Sequence, residues 1–175
     1  MKRWLCAAVM MCLAIPPALG ASGWEPLRTQ LLREMEITWV RDLALKKPER
    51  MAVLPFQATD SAPAEWGAWM TEEMTLQLFG QGPWKMLERA RIEQLIREQG
   101  FTQTALADAT TAISLGKLAG ADTLVMGSYR AISPTEARVW VRLVVVSTGQ
   151  VLAIASGSVP LQASATPLLD SLRME

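Results

Sequence analysis

The chain has 175 residues, half of them hydrophobic, and its 17 basic and 17 acidic side chains cancel. That length suits one domain with an added segment, and that apolar content is enough to bury a core without disulfides. The absence of histidine removes the commonest general base and most zinc sites, and the balanced charge lacks the basic footprint of a nucleic-acid binder.

Residues 1–20 read as a cleavable secretory signal. Lys2 and Arg3 open it, Leu5 to Ile15 is apolar, and Ala18-Leu19-Gly20 places small residues at the cleavage positions. The apolar run falls short of the roughly 20 residues a membrane span needs, and Pro16-Pro17 breaks it. Both cysteines, Cys6 and Cys12, lie inside this leader, and neither follows the small-residue pattern of a lipoprotein site. The exported chain is therefore expected to carry no thiol, no disulfide and no lipid on cysteine, and to fold on packing alone.

Residues 21–50 form an expected N-terminal helical arm. Pro26 suits a first helical turn. Leu27, Leu31 and Met35 mark one stripe, with Leu32, Trp39 and Leu43 widening it up to Lys46-Lys47-Pro48. Such a helix either folds against the domain or packs on a partner or a membrane surface.

The domain is expected over 51–160. Met51 to Phe56 is a buried strand whose Pro55 marks an end or an edge, and Gln57 to Pro63 is a loop. From Ala64 to Phe79, Trp66, Met70, Met74 and Leu78 recur every four residues, with Trp69 and Leu76 beside them, as in an amphipathic helix. Trp84, Met86 and Leu87 form a short strand that passes at Glu88-Arg89 into a helix with Ile92, Leu95, Ile96 and Gln99 on one face. Gly100 stops it. Asp108 is placed to cap a further helix with Thr111, Leu115, Leu118 and Ala119 as its buried stripe, ended by Gly120. Thr123 to Ile132 is a strand, joined to the one near Trp84 by a connection long enough to make the two parallel.

After the turn Ser133 to Glu136, Val139, Val141, Leu143 and Val145 alternate with Arg138, Trp140 and Arg142, the period of a strand with one covered face. Thr148-Gly149 then supports a reversal into Val151 to Val159. Residues 161–175 are a tail in which Leu168, Leu169 and Leu172 form a marginal turn or fray. The expected fold class is α/β, a mixed sheet of about five strands with covering helices, plus the N-terminal arm.

Reactive chemistry is scarce. Gly116-Lys117 lacks the preceding glycine-rich loop of a phosphate cradle, and Glu72-Glu73 reads as a solvated helix face. Trp66 and Trp69 read as core. Glu88 and Arg89, at a strand-to-helix junction, serve either capping and a local ion pair or a partner. With Trp39 on the arm they are the candidate partner-binding residues. No catalytic residue, cofactor or metal site is expected.

The segments MAVLPF, LERARIEQLIREQGF, TTAISLGKLAGADTLVMGSYR and VRLVVVSTGQVLAIASG, in that order over about residues 51–159, resemble the FlgO-type domain and the wider set of bacterial envelope proteins related to the curli secretion component CsgG. The resemblance implies an exported α/β domain without enzymatic activity. Its setting would be the periplasm or the outer membrane, in peripheral association. The implied partners are other envelope proteins of flagellar or secretion machinery, and a homo-oligomer such as a ring belongs to the same expectation. CsgG-like channel subunits carry a lipidated cysteine and long barrel-forming hairpins. Here the connections Ser133 to Glu136 and Thr148-Gly149 are too short to host them, so a pore built by this chain alone is not expected.

Overall fold

The computed structural model describes residues 23–42, 47–102 and 104–161. The expected leader, Leu43 and Lys46 of the arm, and the tail beyond residue 161 lie outside the described residues.

Among the described residues four helices and six strands follow in chain order: α1 (Trp24–Arg41), β1 (Arg50–Val53), β2 (Gln57–Ala58), α2 (Ala64–Leu78), β3 (Lys85–Met86), α3 (Arg89–Glu98), α4 (Ala109–Ala119), β4 (Thr123–Ser133), β5 (Glu136–Val145) and β6 (Val151–Pro160). A 3-10 turn, Thr104–Ala107, precedes α4. The sheet runs β3-β1-β4-β5-β6, and β2 pairs with β4 beyond the end of β1. Its first half is parallel and its second half antiparallel. The mixed sheet is thus as expected, with β2 as a short addition. Pro55 explains why two strands replace one: it donates no ladder hydrogen bond, so β1 stops at Val53 and pairing resumes at Gln57. β1 lies between β3 and β4 rather than at an edge.

Two cores flank the sheet. On one face α1 and α2 press Trp24, Leu27, Leu31, Met70, Met74 and Leu78 onto Val139, Val141 and Leu143. Trp24 meets Phe56 and Trp69 edge-on, at ring-centroid distances of 6.2 and 5.9 Å. The helix expected as an arm is therefore part of this core. Its stripe of Trp24, Leu27, Leu31 and Met35 is sealed, and Thr38 Oγ1 donates to the Leu152 carbonyl of β6 at 2.8 Å. At its start Gly23 approaches so closely that a Cβ there would lie 2.5 Å from the Ser158 carbonyl oxygen.

On the opposite face α3 and α4 cover Ala52, Leu54, Leu124, Met126 and Val144. Asp108 caps α4 as expected, accepting the Thr111 backbone N–H at 2.9 Å, and Gly120 closes it at φ +72°. The buried stripe of α4 differs from expectation: it is Ala112, Leu115 and Gly116, while Leu118 is exposed. Gly116 sets this rotation, because a Cβ there would meet Val146 and Leu124 at about 3 Å. Leu76, expected to widen the apolar face of α2, is likewise exposed.

Candidate partner-binding face

The helices cover the sheet unequally. Period-two alternation along β5 sends Ala137, Val139, Val141 and Leu143 into the α1/α2 core and Arg138, Trp140 and Arg142 to the other side. There α3 and α4 reach β1, β4 and the Val144 end of β5, because Gly116 seats α4 on Leu124 and Val146. The rest of β5 and β6, from Arg142 and Ile154 toward the β4–β5 turn, is left without a helix among the described residues.

Register sets this bare face in rows with the adjoining side chains of β4, of which Met126 is buried. Met126, Arg142 and Ile154 lie side by side across β4, β5 and β6. The next row is Ser128, Trp140 and Ser156, extended by Gln57 of β2, and the last is Arg130, Arg138 and Ser158. A cavity of about 310 Å³ opens at its inner edge, between the Pro55–Thr59 segment and the 3-10 turn, floored by Met126, Ser128 and Trp140.

The arginines are held but not neutralised. Arg130 stands over the Trp140 ring, 5.7 Å from its centroid. Arg142 donates to the Ala107 carbonyl at 3.2 Å, and Arg138 reaches the Ser156 hydroxyl at 3.5 Å. None of the three forms an ion pair within the described residues. Arg142 adds to the field on Asp108, whose carboxyl lies below the usual carboxylate range chiefly because the Thr111 backbone N–H binds it. Nearby Asp60 is engaged with the backbone, accepting the Ala62 and Ala131 N–H groups. Glu136, two residues before Arg138, shares its side of β5.

The residues singled out from the sequence lie elsewhere. Glu88 is exposed at the start of α3, where its carbonyl, not its side chain, accepts the helix's first N–H groups. Arg89 turns inward: it pairs with Glu93 at 2.7 Å and Glu72 at 3.4 Å, and donates to the Ala68 carbonyl at 3.3 Å. It thereby ties α3 to α2 close to Pro55 and Phe56, past the end of β1. Trp39 is half-buried against the α1/α2 core, its Nε1 has no hydrogen-bond partner, and Lys47 Nζ stands 5.8 Å from its ring centroid. The structure does not gather these three into one site. The bare face was missed although the alternation of Arg138, Trp140 and Arg142 signalled it. Its cross-strand members, Arg130, Ile154 and Ser156, become visible only with the register.

Among the described residues no group of three or more His, Cys, Asp or Glu side chains could hold a metal ion, and no helix is long and apolar enough to cross a membrane. The arrangement offers shape, cationic hydrogen-bond donors and apolar surface.

Comparison with known proteins agrees with the architecture. The family model "Curli production assembly/transport component CsgG" matches residues 56–132. No curated protein sequence matches significantly. Among solved structures, the C-terminal domain of LpoB from Escherichia coli is 17% identical, with 76% of this chain and 97% of that one covered at a TM-score of 0.54. The NMR structure of E. coli LpoB is 14% identical, covering 91% and 79% at 0.59. The crystal structure of lipoprotein GNA1162 from Neisseria meningitidis is 22% identical, covering 72% and 91% at 0.54. The chain thus shares the fold of these proteins and carries, over residues 56–132, a CsgG-like region.

Proposed function

We propose that the chain is an exported envelope protein without catalytic activity of its own, which works by binding another envelope component through the bare half-face of its sheet. The single observation that carries this is the ordered array of Arg130, Arg138, Trp140 and Arg142 on a surface that no helix covers among the described residues. A sheet flanked by helices normally buries both faces. Arginine without an ion pair among the described residues, interleaved with an aromatic ring, is the composition of a contact surface rather than of solvated filler. Export is supported by the signal-like leader, and an envelope setting by the CsgG-like region and by the fold shared with lipoprotein GNA1162.

Within that setting the proposed role is an assembly or interaction component of flagellar machinery, in the manner of FlgO-type proteins. The second reading, favoured by the family model itself, is an accessory or subunit of a CsgG-like secretion channel. Glu88, Arg89 and Trp39 stay in the proposal as secondary contacts away from the main face.

Fractionation of the native host tests the setting. The protein should leave the cytoplasm and should be released from membranes by salt or alkali, whereas a channel subunit resists both. Trp140→Ala and Arg142→Ala should lower the yield of co-purified partner at least tenfold while thermal unfolding stays cooperative. Unchanged partner recovery by both variants overturns the role of the face.

A further inference from the structure

We infer that the segment seated on the bare half-face is an acidic amphipathic helix supplied by another protein. This rests on the reading of that face as the working surface and adds the chemistry of what it takes.

Shape argues first. The rows run three strands wide and three long, exposed at Arg130 and Ile154, half-buried elsewhere and closed at the corner where Met126 is buried. At about 4.8 Å between strands and roughly 6.8 Å between same-side residues of a strand, the patch measures about 10 by 14 Å. One helix, about 10 Å across with side chains, fills such a space. The α1/α2 face carries two helices over β5 and β6 and their neighbours; among the described residues the other face carries α3 and α4 but no helix beyond them over β5 and β6, and a partner helix would complete the layer beside α4.

Charge argues next. Arg130 and Arg138 are directly opposite on adjacent antiparallel strands and on the same side, a like-charge pairing that is unfavourable in isolation. With Arg142 they make three cations without an ion pair among the described residues. A carboxylate set between Arg130 and Arg138 converts that repulsion into two charge-assisted hydrogen bonds.

Apolar surface decides between sources of negative charge. Ile154 is 58% exposed, and it adjoins Arg142 and Met126 in one row. An anionic glycan or a lipid headgroup leaves the Ile154 side chain wet. A helix with Glu or Asp along one edge and Leu-like residues at three- and four-residue steps covers them while its acids reach the arginines.

The test places the photocrosslinking residue p-benzoylphenylalanine at Ser156, or in a second variant at Ser128, in the full chain in its native host, and maps the adducts by mass spectrometry. The expected adduct is a peptide with helical spacing of acidic and apolar residues. R130E/R138E should cut its yield at least tenfold, R130K/R138K should retain most of it, and exchanging the partner's acids for lysine should rescue R130E/R138E. Adducts confined to glycan or lipid, adducts with a peptide lacking acids, or yields indifferent to charge reversal overturn the helix but leave the face as the contact surface. Adducts absent here, while the same residue placed at Glu88 or Trp39 yields them, overturn the face and the helix together.

Discussion

The Tyr129 hydroxyl accepts the Gly67 backbone N–H at 3.1 Å and donates to the Pro63 carbonyl at 2.9 Å. A central strand thereby holds the first turn of α2, and Thr71 extends the link, donating to the Gly67 carbonyl while accepting the Phe56 N–H. Tyr129→Phe removes the hydroxyl from a buried site and leaves backbone groups short of a partner. It should cost about 1–3 kcal/mol of stability, measured by chemical denaturation with an unchanged denaturant slope. A loss within error of zero would mean that water replaces the hydroxyl there.

The same side chain is the chain's one tyrosine, so its titration can be followed by phenolate absorbance without overlap. Burial raises its pKa above the ordinary 10.0, Glu65 and Asp60 push the same way, and the Gly67 hydrogen bond opposes them. A pKa raised in the folded state stabilises fully below the unfolded value and is lost as pH climbs through the folded one. Native protein should therefore ionise later than denatured protein. Wild type should lose stability upward from about pH 10 by a route that Tyr129→Phe lacks. Coincident native and denatured titrations would contradict this.

Leu31, on α1, is fully buried. Leu31→Ala should cost about 2–5 kcal/mol, and deleting Trp24–Arg41 should abolish cooperative unfolding, since it strips the cover from β5 and β6. An α1-less chain with a sharp thermal transition would show that the helix is a detachable arm after all.

Arg138→Thr removes one of two opposed cations and places a strand-favouring residue on a half-exposed surface. It should raise stability by roughly 0.2–1 kcal/mol, and the gain should shrink in high salt as screening weakens the repulsion in the wild type. A stability loss, or a gain independent of salt, would show that Arg138 is anchored through Ser156 rather than strained against Arg130.

Much of this fold is legible in the sequence because its signals are local. Asp108 and Gly120 bracket α4 by cap chemistry, and the alternation from Ala137 onward is a strand with two unlike faces. What stayed hidden depends on distant partners. Leu118 carries the spacing of a core residue, but Gly116 decides which side of α4 approaches the sheet. Pro55 divides the first strand because β4 is long enough to pair on both sides of the break. Glu88 and Arg89 drew attention as a charged junction, yet the junction's chemistry is consumed by Glu72 on a helix 17 residues away in sequence. The working face needs register most of all: Arg130 and Arg138 are opposed through the β4–β5 turn, and no periodicity within one segment reports that.

The close packing of Gly23 on Ser158 has a practical consequence for anyone handling the molecule. It brings the chain entering at residue 23 and the chain leaving near Pro160 to one corner, the corner where the Arg130, Arg138 and Ser158 row ends. A fusion joined directly at Gly23 or at Leu161 would start from that corner and add bulk close to the row, so a label there is poorly placed for a pull-down that probes the face. The hairpin turn around Thr148-Gly149, at the far end of β5 and β6, is the place to put a label.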